Sequence, residues 1–106
     1  MPLVTVIIPC YNDGHYLDDS VSSVKSQTFT DIEIIIVNDG STDHATIQKL
    51  NSFNDPLITV LNKENGHLSS ARNHGIRHAK GQIIVTLDSD DRFEKTFIEK
   101  GVAILK

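Results

Sequence analysis

Four short runs dense in valine and isoleucine constrain the fold of this 106-residue chain more than any other feature. They are Leu3 to Ile8, Ile32 to Val37, Leu57 to Leu61 and Ile83 to Leu87. Turn-forming residues bound each run, and none of the runs alternates strictly between apolar and polar residues. Such runs predict strands that are covered on both faces, as in a parallel sheet.

Segments with helical spacing follow each of these runs, and each carries a one-sided apolar stripe. The stripes are Leu17, Val21 and Val24; Ile47, Leu50 and Phe53; Leu68, Ala71, Gly75 and Ala79; and Phe93, Phe97, Gly101 and Ile104. The small residues of the third stripe would let that helix lie close to the sheet. Because strand and helix alternate four times, we predict right-handed βαβ units and an α/β, Rossmann-like fold. Its mostly parallel four-stranded sheet would be flanked by helices.

Length and composition fit one globular domain over residues 1–106. The net charge of −4, with scattered Lys and Arg, argues against nucleic acid as a partner. The single cysteine, Cys10, excludes an intramolecular disulfide, and we interpret it as a buried structural thiol. Because the apolar N-terminus lacks a basic leader and is interrupted by Pro9, we expect a cytoplasmic location, with membrane association only through regions outside this sequence.

The loops after the strands are the candidate site, since ligands of open α/β sheets bind at the carboxyl ends of the strands. After the first strand, Tyr11 offers a ring to stack on a planar ligand, and Asn12 offers an amide to hydrogen-bond to it. After the second strand, Asp39 can accept from the N–H of a base or from a ribose hydroxyl. Gly40 permits a tight turn, and Ser41 or Thr42 can cap the next helix, so a purely structural turn is equally consistent with this second loop.

The third loop opens a helix at Asn65-Gly66, and Arg72 lies in that helix. A helix N-terminus attracts anions, and an arginine there can pair with a phosphate, although a surface arginine is the alternative. His67, His74 and His78 could share one face of this helix. Without the glutamate of an H-E-x-x-H motif, we predict that they face solvent.

The stretch DSDD, residues 88–91, ends the fourth strand. If the backbone stays extended, Asp88 and Asp90 point to the same side, where a cation would relieve their repulsion. Carboxylates with open positions suit Mg²⁺ or Mn²⁺ bound together with substrate phosphates. The alternative is a solvated acidic turn. An EF-hand is excluded by the position of Arg92, and neither a Walker A nor a G-x-G-x-x-G pattern follows the first strand.

In combination these segments resemble a known family. VIIPCYN, SVKSQTFTDIEIIIVNDGSTD, NGHLSSARNHGIRHAKG and LDSDD, in this order and spacing, are similar to the nucleotide-sugar-binding half of the family 2 glycosyltransferases of the GT-A fold. The resemblance extends from Val4 to about Phe93. It implies an inverting glycosyltransferase that uses a nucleotide-diphosphate sugar, with a UDP-sugar as the expected donor, in polysaccharide or glycan synthesis.

The resemblance also implies roles for individual residues. Pro9 and Tyr11 would line the base pocket, and Asp39 would accept from the uracil ring. Mg²⁺ or Mn²⁺ would be bound by Asp88, Asp90 and Asp91, with Asp88 reaching the ribose or the metal. The full donor-binding set that we predict is Pro9, Tyr11, Asn12, Asp39, Gly40, Ser41, Asn65, Gly66, Arg72, Asp88 and Ser89.

Family members carry a further acceptor-binding region that supplies a catalytic Asp or Glu, and we expect that base beyond Lys106. The acceptor would be a saccharide or a lipid-linked molecule. Two alternatives stay open: a nucleotide-binding module without catalysis, and a sugar-nucleotide pyrophosphorylase. A pyrophosphorylase would require a loop after the first strand that is rich in glycine and basic, and PCYNDG has neither property.

Overall fold

The computed structural model describes residues 2–105. Within these residues four strands form one sheet in the order β3-β2-β1-β4, and all neighbouring strands are parallel. The elements are β1 (Val4–Cys10), a 3₁₀ turn (Gly14–Tyr16), α1 (Leu17–Lys25), β2 (Ile32–Asp39), α2 (His44–Asn51), β3 (Ile58–Lys63), α3 (His67–His78), β4 (Ile83–Thr86) and α4 (Phe97–Leu105). The predicted α/β fold with a four-stranded parallel sheet is confirmed.

The strand order determines which helix covers which face. From β1 to β3 the chain moves in one direction across the sheet, and it then returns to pair β4 with the other side of β1. Because parallel crossovers are right-handed, a reversal of direction places the crossover helix on the opposite face. Accordingly α3 packs over β2 and β1 on one face, and α1, α2 and α4 pack on the other.

The two central strands form the core, whereas the edge strands are half covered. All seven residues of β1 are buried, and β2 is buried at six of its eight positions. Along β3 and β4, partly buried residues are interrupted by exposed ones such as Thr59 and Ile84. The expectation that all four strands are covered on both faces was therefore wrong for the edges, because α3 is the one described helix on its face and it lies over the centre of the sheet.

Gly75 permits the close packing of α3 on the sheet. A Cβ atom at this position would lie 2.6 Å from Cγ2 of Ile7 and 3.2 Å from Cγ2 of Val37, so only glycine fits without a shift. Ala71, one turn earlier, is fully buried on the same face. The predicted close approach of this helix is confirmed, although Leu68 at its start is 45% exposed.

Two predicted apolar stripes need correction. Phe53 lies beyond the end of α2, although it still packs on the core. Phe93 lies before α4, and α4 buries Ile98 and Val102 instead of Phe97, Gly101 and Ile104. Both sets of residues have helical spacing, so the sequence period could not select between them. The segment that leads into the helix is bonded to α1 and to Gln27, and with these bonds in place Ile98 and Val102 face the core.

Among residues 2–105, no helix is long and apolar enough to cross a membrane.

Candidate functional site

A cleft of about 570 Å³ opens at the carboxyl edge of the sheet, between the loops after the strands and the start of α3. Seven residues of the predicted donor and metal set line it: Pro9, Tyr11, Asp39, Asn65, Asp88, Ser89 and Asp90. Five further lining residues were missed by the sequence reasoning: Cys10, Asp13, His67, Leu68 and Ala71. Parallel strands present their carboxyl ends at one edge, so residues distant in sequence converge there.

Asp39, in the lining of the cleft, forms a largely buried ion pair with Lys63 between the ends of two strands. Asp39 and Lys63 are the last residues of β2 and β3, and the strand register places them side by side. Lys63 Nζ lies 3.1 Å from Asp39 Oδ1, and the side chains are 15% and 5% exposed. The backbone N–H of Gly66 donates to the same oxygen at 2.9 Å. Among the described residues, every hydrogen bond to this carboxylate uses Oδ1, so Oδ2 is available to a ligand.

Asn12 links the loop after β1 to the loop after β2. Its backbone is in the left-handed region, with φ of 55°, and its side-chain oxygen accepts from the N–H groups of Thr42 and Asp43 at 2.8 Å each. Its own N–H donates to Ser41 Oγ at 3.1 Å. The structure thus uses Asn12 and Ser41 to join two loops, and neither lines the cleft. Ligand contact by these two residues stays a prediction.

The cap of α2 differs from the prediction. Asp43, and not Ser41 or Thr42, is the N-cap, and its side chain accepts from the N–H of Thr46 at 3.0 Å. Hydrogen bonds from the hydroxyl and the N–H of Thr46 lower the pKa of Asp43. Gly40 provides the tight turn that was expected, since its φ is 71° and a Cβ there would lie 2.5 Å from the N atom of Asn65.

Asp13 connects the loop after β1 to the acidic loop, which we define as residues 88–91. Its carboxylate accepts from the N–H of Tyr11 at 3.2 Å, from the thiol of Cys10 at 3.3 Å, and from the hydroxyl of Ser89. Burial first, and then the neighbouring Asp13, raise the pKa of Cys10 to about 12. The thiol therefore stays protonated at neutral pH, in agreement with a buried structural cysteine.

Arg72 reaches the acidic loop from α3. Its Nη2 donates to Asp88 Oδ1 at 2.9 Å, and its Nε is buried without a hydrogen-bond partner among the described residues. The side chains of Arg72 and Asp88 are both partly exposed, and Asp88 lines the cleft. An arginine beside the cleft with an unsatisfied N–H can serve an anionic ligand.

The acidic loop itself can accommodate a divalent cation. Asp88, Asp90 and Asp91 each place a carboxylate oxygen so that the three oxygens lie within 4.8 Å of one another. Asp88 is half-buried and the other two are exposed. All three donors are hard oxygen atoms with open positions beside them, which is the chemistry that Mg²⁺ and Mn²⁺ prefer. The residues therefore fit such an ion.

The residues that the sequence reasoning missed differ in how well they could have been found. The pairing of Lys63 with Asp39 follows from the strand register, which a single sequence does not give. His67 lines the cleft at the start of α3, where its backbone has φ of 71°, and no sequence pattern signals this conformation. His67 and His78 are exposed as predicted, whereas His74 is half-buried. Desolvation first, and then the charges of His78, Arg77 and Lys63, lower the pKa of His74.

Comparisons with known proteins agree on one family. The family model described as glycosyl transferase family 2 matches residues 5–106. The chondroitin synthase of Pasteurella multocida is 42% identical over 101 residues, which cover 93% of this chain and 10% of that protein.

Solved structures share the fold. The crystal structure of S. aureus TarS 1–349 superposes with a TM-score of 0.83 at 29% identity, covering 96% of this chain and 32% of that one. The same protein has been solved with UDP-GlcNAc, at a TM-score of 0.82. The mannosyltransferase PcManGT of Pyrobaculum calidifontis, solved with GDP-Man and Mn²⁺, has a TM-score of 0.76 at 27% identity, covering 87% of this chain and 28% of that one. The chain therefore spans about a tenth of the chondroitin synthase and about a third of the solved structures.

Proposed function

The chain belongs to glycosyl transferase family 2, and on this premise we propose that its cleft binds the nucleotide-diphosphate sugar from which the whole protein transfers a glycosyl group. The observation that carries the proposal is the convergence of Tyr11, Asp39 and the acidic loop on one cleft at the carboxyl edge of the sheet. The structural neighbours solved with UDP-GlcNAc, UDP and GDP-Man support this ligand class. We assign donor binding alone to these residues.

We place the nucleobase at the Asp39 end of the cleft. Tyr11 is 48% exposed, so its ring is accessible for stacking, and Pro9 lies beside it in the lining. Oδ2 of Asp39 can accept an N–H from the base edge while Oδ1 stays bonded to Lys63 and Gly66. A uracil ring offers one such N–H beside its carbonyl groups, and this makes a UDP-sugar our first choice of donor.

We place the diphosphate between α3 and the acidic loop. Arg72 and the N-terminus of α3 supply positive charge on one side. On the other side Asp88, Asp90 and Asp91 would hold Mg²⁺ or Mn²⁺, which when bound neutralises the charge that develops on the diphosphate leaving group. Asp88 is also bonded to Arg72, so the arginine orients this carboxylate, whereas the carboxylates of Asp90 and Asp91 are exposed and have no hydrogen-bond partner among the described residues.

Calorimetric titration of the chain with UDP, with and without Mn²⁺, tests the proposal. We expect UDP to bind more tightly with Mn²⁺, and we expect Asp90→Ala to abolish that enhancement by removing an ion ligand. Asp31→Ala is the matched control, because Asp31 is an exposed carboxylate next to β2 at the opposite edge of the sheet. An affinity for UDP that responds neither to Mn²⁺ nor to Asp90→Ala would refute the metal role.

A hydrolysis assay separates an enzyme from a binding module. If the chain retains activity, UDP-sugar should be hydrolysed slowly, and EDTA should suppress the hydrolysis. Binding of UDP with no hydrolysis would favour a donor-binding unit that does not turn over alone. Absence of UDP binding would refute the assignment of the cleft.

A further inference from the structure

Gln27 carries a buried side-chain amide that joins two distant segments. It follows the C-terminal end of α1 and is 4% exposed. Its Nε2 donates to the carbonyl oxygen of Glu94 at 2.7 Å and to that of Ser23 at 3.0 Å, and its Oε1 accepts from the N–H of Ile98 at 3.0 Å. The amide therefore bonds both α1 and the segment that leads from the acidic loop into α4.

Two neighbours of Gln27 bond the same segment. Ser23 Oγ accepts from the N–H of Phe93 at 3.0 Å, and the N–H of Thr28 donates to the carbonyl oxygen of Lys95 at 3.1 Å. Ser23 is itself buried in α1, and its hydroxyl donates to Ser20 O at 2.7 Å. Residues 93–98 are thus bonded to the end of α1 at four backbone groups. We call Gln27, Ser23 and Thr28 the α1 clamp.

The opposite end of the acidic loop is also fixed. Ser89 is 3% exposed and donates its hydroxyl to Asp13, and Asp88 accepts from Arg72. Between these anchors and the α1 clamp lie only residues 90–92, all exposed. The two carboxylates of Asp90 and Asp91 therefore sit on a three-residue span whose ends are held by the buried side chains of Ser89 and Ser23. Within the loop, the N–H of Asp91 also donates to the carbonyl oxygen of Asp88 at 2.9 Å and closes a turn.

We infer that Gln27 is a positioning residue for the cation site: by fixing the segment after the acidic loop, it holds Asp90 and Asp91 near Asp88. A site whose ligands are already restricted loses less conformational freedom when the ion binds. Without the amide, the segment would keep only two of its four bonds to the α1 clamp, from Ser23 to Phe93 and from Thr28 to Lys95, and it would hold Asp90 and Asp91 less firmly. The inference rests on the proposed metal role, and it adds a residue that touches neither ion nor nucleotide.

The test compares three variants with the unaltered 106-residue chain. Gln27→Met keeps the side-chain length and removes all three hydrogen bonds. Ser23→Ala removes one bond to the same segment and serves as the milder variant if Gln27→Met fails to fold. Thr5→Val is the matched control, because Thr5 is fully buried, is bonded to Glu33 and Gly81, and lies in the first half of β1, away from the cleft.

Mn²⁺ affinity is measured from the electron paramagnetic resonance signal of the free ion, and UDP affinity by calorimetry without Mn²⁺. The free energy of unfolding is measured by urea denaturation. We expect Gln27→Met to weaken Mn²⁺ binding about tenfold, which is the low end of the range of affinity losses found when a group that supports metal ligands is removed. Ser23→Ala should act in the same direction with a smaller effect. Thr5→Val should lower the free energy of unfolding and leave Mn²⁺ affinity unchanged. UDP affinity without Mn²⁺ should stay the same in all variants.

A folded Gln27→Met variant with unchanged Mn²⁺ affinity would overturn the inference. So would an equal loss of Mn²⁺ affinity in Thr5→Val, since the effect would then follow from general destabilisation. If the unaltered chain binds UDP but no Mn²⁺, the metal part of the proposed function fails, and that result comes from the unaltered chain alone.

Discussion

The two acidic features of the cleft, Asp39 and the acidic loop, are built in opposite ways. Asp39 is 3% exposed, ends a central strand and is bonded to Lys63 and to the backbone of Gly66. Asp90 and Asp91 are exposed and lie in a turn, and Asp88 has a single arginine partner. One carboxylate is part of the folded framework, whereas the others are held near each other by a turn hydrogen bond from Asp91 to Asp88 and by the anchored ends of their loop.

One cleft thereby combines a rigid carboxylate with adaptable ones. A buried carboxylate needs partners in the folded state, so its position is fixed before any ligand arrives. Exposed carboxylates are solvated without partners, so their side chains can reorient around an ion while the backbone of their loop stays held at both ends. Under the proposed function, Asp39 is in place for the nucleobase before the ligand binds, whereas the carboxylates of the acidic loop take their final positions around the ion. Substitutions of the two kinds of carboxylate should therefore differ in their effect on the free energy of unfolding.

The largest effect is expected for Asp39→Asn. Removing the charge leaves the Lys63 ammonium in a mostly buried position, so the free energy of unfolding should fall by about 3 kcal/mol. UDP affinity should fall as well. Urea denaturation and calorimetry measure the two effects. Asp55→Asn is the control, since it breaks the more exposed pair with Lys25 and should change stability far less. Equal effects would show that burial does not distinguish the two pairs.

Gly40→Ala should have the next largest effect. The residue follows Asp39 with φ of 71°, and an added Cβ would contact the N atom of Asn65. The left-handed conformation and the close contact should together lower the free energy of unfolding by about 2 kcal/mol. Urea denaturation checks the value. An unchanged free energy of unfolding would mean that the loops around Asp39 can adjust, and that Asp39 is not held more rigidly than the acidic loop.

Cys10 should produce a smaller, pH-dependent effect. Burial raises the pKa of its thiol from 9.0 to about 12. Above pH 9 the unfolded chain releases this proton while the folded chain retains it, so stability is full below pH 9 and declines as the pH rises toward 12. At pH 10 the loss should be about 1.4 kcal/mol. Urea denaturation at neutral pH and at pH 10 should show this loss for the native chain and not for Cys10→Ala.

Asp90→Ala should have the smallest effect on stability. Because the residue is exposed and has no side-chain hydrogen bond among the described residues, the free energy of unfolding should change by no more than about 0.5 kcal/mol. Urea denaturation without metal measures this. A loss as large as that of Asp39→Asn would show that the acidic loop is a structural element and would remove the contrast.

The fold was predictable from the sequence because its signals are local. Runs of valine and isoleucine mark β1 and β2, and the small residues Ala71 and Gly75 correctly marked a helix lying close to the sheet. The errors are equally instructive. Phe97 and Ile98 both fit a helical stripe, and the hydrogen bonds of the preceding segment to α1 decide which of them is buried.

The site was predictable only in part. Asp39, Asp88 and Asp90 could be named because polar residues after buried strands gather at one edge of a parallel sheet. Lys63 and Asp13 could not be named, because their contacts with Asp39 and Ser89 join segments that are distant in sequence. Asn12 was assigned to the ligand, and its observed bonds join two loops.

The order of strands and helices and the residue types available at the carboxyl edge can be read from the sequence alone, because apolar periodicity and turn chemistry are properties of neighbouring residues. The tertiary structure decided the rest: the register that pairs Asp39 with Lys63, the return of β4 to the far side of β1, and the α1 clamp beside the acidic loop. These features depend on hydrogen bonds and charges between segments far apart in the chain. Such contacts exist only once the core has brought the segments together.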